Sequence, residues 1–121
     1  MIRILLVDDE IMILNILSHY FRTWGWDVLA LSDSEQAAEI LKSEEKFDAM
    51  VSDIRMSPIN GIELLKLSKK VRPAMPVILI TGFGSKEIFR QVMELGAFSC
   101  LAKPFEPESL LKTVEEALKI N

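Results

Sequence analysis

The 121 residues carry 18 acidic and 14 basic side chains, a net charge of −4, and half of them are apolar. That length fits one domain with one core, and no Lys/Arg cluster is dense enough to suggest nucleic-acid binding by this domain. One cysteine excludes an internal disulfide and suits a reducing cytoplasm, no apolar run approaches the roughly 18 residues of a membrane span, and the N-terminus shows no cleavable signal pattern.

The first apolar run, Ile2 to Val7, predicts a strand, and a helix follows from about Glu10 to Trp24. Ile13, Leu14, Leu17, Tyr20, Phe21 and Trp24 form its apolar stripe, and Gly25 is a good terminator. A second strand is expected over Asp27 to Leu31. Ser32 and Asp33 then read as caps of a helix carrying Ala37, Ala38 and Leu41. The third strand spans Phe47 to Ser52, and the third helix runs from about Gly61 to Val71 with Leu64 and Leu65. The fourth strand is Pro76 to Ile80. Its helix, about Ser85 to Leu95, carries Ile88, Phe89, Val92 and Met93. The fifth strand is Phe98 to Ala102, and the last helix begins near Pro107, a favoured first position, with Leu110, Leu111, Val114 and Leu118.

Runs such as ILLV and VILI are apolar on both faces, as buried parallel strands require. Strict βα alternation implies an α/β parallel sheet with right-handed crossovers. The first, third and fourth runs are the most apolar and should be central. That favours a flavodoxin-like (βα)5 three-layer sandwich with strand order 2-1-3-4-5, whose switch point lies between the first and third strands.

Five polar residues stand at or just past the carboxyl ends of these strands: Asp8, Asp9, Asp53, Thr81 and Lys103. Ligands of open α/β sheets bind at that edge, so the five should converge. Taken singly, the acid pair reads equally as a solvated turn at a helix N-terminus and Asp53 as a loop cap. Together the carboxylates repel unless a cation sits among them. Mg²⁺ fits, with its preference for few carboxylates, retained waters and phosphate oxygens. Asp53 is then free to act as a nucleophile forming an acyl phosphate, with Lys103 as a point charge, Thr81 as a hydroxyl donor, and Gly82 leaving room for a backbone N–H.

The segments LLVDDE, SDIRM, ITGFG and GAFSCLAKPF resemble the receiver domain of bacterial two-component response regulators, over the whole chain and with all five positions filled. The resemblance implies that residues 1–121 are one receiver domain, a phosphoprotein rather than an enzyme, cytoplasmic and without membrane attachment. Asp53 would be the phosphoacceptor, and Thr81 and Lys103 would contact the phosphoryl group. Asp9 would bind Mg²⁺ directly and Asp8 mainly through water, with Asp53 and the backbone carbonyl of Arg55 completing the protein ligands. The Lys103–Pro104 bond would be cis. The expected partners are a sensor histidine kinase or phosphotransfer protein, and an output domain or effector. The latter would engage the face of the fourth helix, fifth strand and fifth helix, which includes Lys86, Arg90, Cys100 and Glu106.

Three departures stand out. Cys100 occupies the position three before the lysine where the family usually carries Tyr or Phe. The proline after Asp53 is shifted by one, to Pro58, so the covering loop should turn differently. Asn60 replaces a frequent Asp and should affect only a helix cap. Other residues have plainer readings: His19 as surface, Trp24 and Trp26 as packing, Cys100 as a small buried hydrophobe. Phe83 and Arg55 read either as loop surface or as a rim that controls water access. An aspartate-nucleophile phosphatase is a rival reading, but it needs an acid two residues after the nucleophile, where Arg55 stands. A pseudo-receiver that is never phosphorylated is a second rival. The end of the chain after the fifth helix fits a stand-alone receiver as well as one cut from a longer regulator.

Overall fold

Strands that are apolar on both faces need cover on both, and the computed structural model, which describes residues 1–82 and 85–120, has that arrangement. Among the described residues the elements alternate as β1 (Arg3–Val7), α1 (Ile11–Thr23), β2 (Asp27–Leu31), α2 (Ser34–Lys42), β3 (Ala49–Asp53), α3 (Gly61–Val71), β4 (Val77–Thr81), α4 (Lys86–Glu94), β5 (Ser99–Ala102) and α5 (Pro107–Ile120). The sheet order is β2-β1-β3-β4-β5, with every pair parallel. This is the flavodoxin-like order expected from the sequence.

Alternation along the strands divides the core in two. Leu5, Val7, Met50 and Leu79 pack with Ala37, Ala38 and Leu41 of α2, Leu64 and Leu65 of α3, and Val92 of α4. Ile4, Leu6, Val51, Ile78 and Ile80 face the other way, onto Leu14, Leu17 and Phe21 of α1 and Leu110, Val114 and Ala117 of α5. Strand-bound positions i and i+2 share a face, so one run of apolar residues supplies both layers. The aromatic residues at the end of α1 pack together, with Phe21–Trp26 ring centroids 5.6 Å apart and Trp24–Trp26 6.0 Å.

The local signals act as read, with two adjustments. Asp33 caps α2 by accepting from the N–H groups of Glu35 and Gln36. Asn60 forms a reciprocal capping box with Glu63 at the start of α3. Gly25 takes φ +87° just after α1. The first adjustment concerns strand limits: Phe47, Asp48 and Pro76 precede their strands, while Asp53 and Thr81 are the last strand residues. Pro76 has no N–H to donate, and only its carbonyl takes part, accepting from Met50. The second concerns α4. Of its apolar stripe only Val92 is fully buried, while Phe89 is 48% and Met93 37% exposed. The helix lies beside β5, an edge strand, so the sheet covers little of it.

Candidate functional site

Register brings the five polar residues to one edge. Val7 pairs with Ser52, Asp53 with Ile80, and Thr81 with Ala102. Backbone bonds extend the ladder past the strand ends: Asp8 N–H to Leu31 O at 3.1 Å, Ile54 N–H to Ile80 O at 2.9 Å and Lys103 N–H to Thr81 O at 2.8 Å. Asp8, Asp53, Thr81 and Lys103 are therefore held by the sheet itself rather than by a free loop. Asp8, Asp53 and Thr81 are buried, Lys103 is half-buried, and Asp9, Glu10 and Arg55 are exposed.

The Lys103 ammonium stands at the centre. Its Nζ lies 3.3 Å from Glu10 Oε1, 3.5 Å from Asp53 Oδ2 and 3.7 Å from Asp8 Oδ2. Asp8 Oδ1 accepts from the Glu10 N–H at 2.9 Å, whereas its buried Oδ2 has no hydrogen-bond partner. Desolvation is the largest influence on both buried acids. It lifts the Asp8 pKa to about 6, against a smaller opposing pull from the Glu10 N–H. It also lifts Asp53 above the usual carboxylate range, although Lys103 draws it back through charge and hydrogen bonding. For Lys103, burial favours the neutral amine, but the charges of Asp8, Asp53 and Glu10 outweigh it and the ammonium is held more firmly than usual.

Asp8, Glu10 and Asp53 each offer a carboxylate oxygen, all within 4.8 Å of one another. Hard oxygen donors with one buried, unsatisfied oxygen fit a small divalent cation that keeps part of its water shell. Asp9 lies beside this set. Its charge reaches Asp53 and raises its pKa, and with Ile54, Arg55, Met56, Ser57 and Asn60 it lines a small open hollow. Arg55 thus stands at the rim of the site. Phe83, the other rim candidate, lies outside the described residues. Gly82 is exposed, and a Cβ there would meet nothing within 4 Å.

Two residues gain a role that sequence reasoning missed. Glu10 reads in the sequence only as the start of a helix. In the structure it is the N-cap of α1, makes no side-chain capping bond, and turns its carboxylate to Lys103. The signal available was a third consecutive acid after Asp8 and Asp9. Gly61 reads as a helix start, yet a Cβ there would strike the Asp53 carbonyl oxygen and stand 2.8 Å from Ile54 Cα. Its N–H donates to Ile54 O at 2.8 Å, so only glycine lets α3 sit this close to the strand end that carries Asp53.

The shifted proline accompanies a cis Ser57–Pro58 bond, and Lys103–Pro104 is also cis, as the resemblance implies. The loop after Asp53 is tied to α2 by the Ile59 N–H, which donates to the buried Ser34 hydroxyl at 3.1 Å. Cys100 is half-buried and packs against the α2–α3–α4 layer, and burial pushes its thiol pKa up. His19 is exposed on α1.

Comparison with known proteins agrees with this geometry. The model of the response regulator receiver domain matches residues 4–115. The chain is 38% identical over 117 residues to the transcriptional regulatory protein ZraR of Escherichia coli K12, covering 97% of this chain and 26% of that protein. It is 33% identical over 116 residues to the transcriptional regulatory protein GlrR of the same organism, covering 96% of this chain and 26% of the relative. The chain thus spans about a quarter of the length of these curated relatives. A receiver domain from Clostridium thermocellum superposes with a TM-score of 0.93 at 30% identity, covering 99% of this chain and 96% of that one. The beryllofluoride-activated NtrC4 receiver domain dimer superposes with a TM-score of 0.92 at 32% identity, covering 99% and 98%. With the βα order, the acidic edge and the family match over nearly its whole length in agreement, the chain belongs to the response regulator receiver domain family.

Proposed function

We propose that residues 1–121 act as one receiver domain in which Asp53 accepts a phosphoryl group from a sensor histidine kinase or a phosphotransfer protein. One observation carries the assignment: Asp53 is a buried carboxylate at a strand end, with the Lys103 ammonium 3.5 Å away. A carboxylate oxygen of Asp53 forms the new O–P bond as the P–N bond to the donor histidine breaks, and the donor imidazole leaves with the electron pair. Lys103 and the Thr81 hydroxyl stabilise the phosphoryl oxygens on Asp53. Asp8, Asp9, Asp53 and the backbone carbonyl of Arg55 are the residues that would hold Mg²⁺. The unsatisfied Asp8 oxygen supports that reading. Bound Mg²⁺ supplies charge neutralisation for the entering phosphoryl group.

The readout surface is the face formed by α4, β5 and α5. Thr81 and Lys103 sit at the starts of the loops that lead to α4 and α5, and Phe89 and Met93 leave apolar area exposed on α4. The beryllofluoride-activated NtrC4 receiver domain is a dimer, which is a precedent for association of an activated receiver. The relatives are transcriptional regulators about four times the length of the matched segment, so the partner on this face is an output domain or effector. No described helix is long and apolar enough to cross a membrane, and a cytoplasmic setting is part of the same proposal. Receiver domains are signalling modules, and the only chemistry assigned to this one is its own phosphorylation and dephosphorylation.

The test is intact-mass analysis after incubation with acetyl phosphate or phosphoramidate and Mg²⁺. The parent should gain one phosphoryl group and Asp53→Asn none. An equal gain in that variant would overturn the assignment.

A further inference from the structure

Lys103 has a partner that the phosphoacceptor reading does not use. Glu10 Oε1 is its nearest carboxylate oxygen, at 3.3 Å, closer than Asp53 at 3.5 Å or Asp8 at 3.7 Å. The contact spans 93 positions of sequence. Among the described residues, Lys103 is the partner toward which the Glu10 carboxylate turns. It heads α1 as N-cap, a position where a side chain commonly satisfies a backbone N–H of the first turn, and it makes no such bond. Its backbone N–H is instead committed to Asp8 Oδ1, which pins the start of the side chain at the mouth of the site. Glu10 itself is 62% exposed, so its carboxylate reaches Lys103 from the solvent side while Asp8 and Asp53 reach it from below.

We propose that Glu10 is a positioning residue that shares the Lys103 ammonium with Asp53 in the unphosphorylated protein and gives it up when the phosphoryl group arrives. The role rests on the reading of Asp53 as phosphoacceptor. A phosphoryl group on Asp53 brings two to three strong acceptor oxygens within reach of a lysine that has one compact charge to offer. Glu10 competes for that charge, and an ammonium held by Glu10 is less free to meet the phosphoryl oxygens. Glu10 therefore slows phosphorylation and weakens the hold on the phosphoryl group. Because the competing pair is exposed, its influence is that of a surface ion pair, about two- to fivefold in rate.

The experiment compares the parent, Glu10→Gln, Glu10→Asp, Lys103→Met and Glu10→Gln/Lys103→Met. The first measurement is the NMR shift of the Lys103 ε-methylene in metal-free protein. Glu10→Gln should move it and Glu10→Asp should largely restore it. An unmoved resonance would overturn the contact whatever happens at Asp53. The second is the rate of phosphorylation by phosphoramidate at saturating Mg²⁺, read by intact mass. Glu10→Gln should be about two- to fivefold faster than the parent, and the same substitution should change nothing in the Lys103→Met background. Acceleration that persists without Lys103 would mean that Glu10 acts through the field or the metal rather than through the ammonium, and the proposal would fall. A parent that gains no phosphoryl group, with the Lys103 resonance still responding to Glu10, would instead refute the phosphoacceptor reading and leave the contact standing.

Discussion

Both ends of the sheet gather acidic and basic side chains and treat them in opposite ways. At the amino end Arg3 pairs with Asp27 at 3.1 Å and Glu45 at 3.2 Å, and lies 4.6 Å over the Phe47 ring. Its backbone N–H donates to Asp48 at 2.7 Å. Arg72, 5.6 Å from the same ring, donates to the carbonyls of Ile40, Leu41 and Ser43 at 2.9–3.1 Å and so closes the end of α2. Each of these guanidinium groups has partners and access to water. At the carboxyl end three acids share one ammonium, two of them are buried, and one buried oxygen has no hydrogen bond. The hollow at the amino end, lined by Lys46, Pro73 and Leu118 among others, is the larger of the two. Uncompensated charge, not the size of a depression, therefore marks the functional end.

The contrast between the two ends is sharpest at Asp8. Its folded pKa of about 6 lies above the ordinary 3.8. The unfolded chain is thus more readily ionised, and burying the charge destabilises the metal-free protein above about pH 6. That penalty fades as pH falls from 6 towards 4. Asp8→Asn should therefore stabilise the metal-free protein by about 2–3 kcal/mol near pH 7.5, at about 1.4 kcal/mol per pKa unit, and by little near pH 4. Urea unfolding with a chelator present measures both. An equal gain at the two pH values would show that Asp8 is not a strained charge. Mg²⁺ should stabilise the parent and have much less effect on Asp8→Asn.

Gly61→Ala should come next, at the same end but through shape. A methyl group against the Asp53 and Ile54 backbone has to move α3 or β3, at about 2 kcal/mol. Phosphorylation at Asp53 should slow with it, and an unaltered rate would show that α3 can shift without disturbing the acid. At the amino end the expected effects are smaller and confined to stability. Arg72→Ala removes charged donors from the α2 carbonyls and should cost about 1–2 kcal/mol, with Mg²⁺ affinity by calorimetry unchanged. Arg3→Ala breaks partly exposed pairs and should cost below about 1 kcal/mol. A loss of metal binding in either arginine variant would show that the two ends are coupled.

Much of the architecture was legible in the sequence because it depends on local pattern. Apolar runs such as ILLV and VILI, the caps at Asp33 and Asn60, and the turn at Gly25 each act within a few residues. Alternation of strand and helix then leaves few topologies open. The placing of Asp8, Asp53, Thr81 and Lys103 at one edge followed from the same logic. Tertiary structure alone decided what happens between them. Three consecutive acids look equivalent in the chain, but the turn into α1 buries Asp8, leaves Asp9 on the rim and sends Glu10 to a lysine 93 positions away. The cramped approach behind Asp53 that demands Gly61, and the exposure of Phe89 and Met93 on α4, likewise depend on which layer or edge strand lies alongside. Periodicity tells a residue which side of its own element it occupies. What faces that side is set by register and packing between segments far apart in the chain, and so are desolvation, charge sharing and the cation these acids can hold.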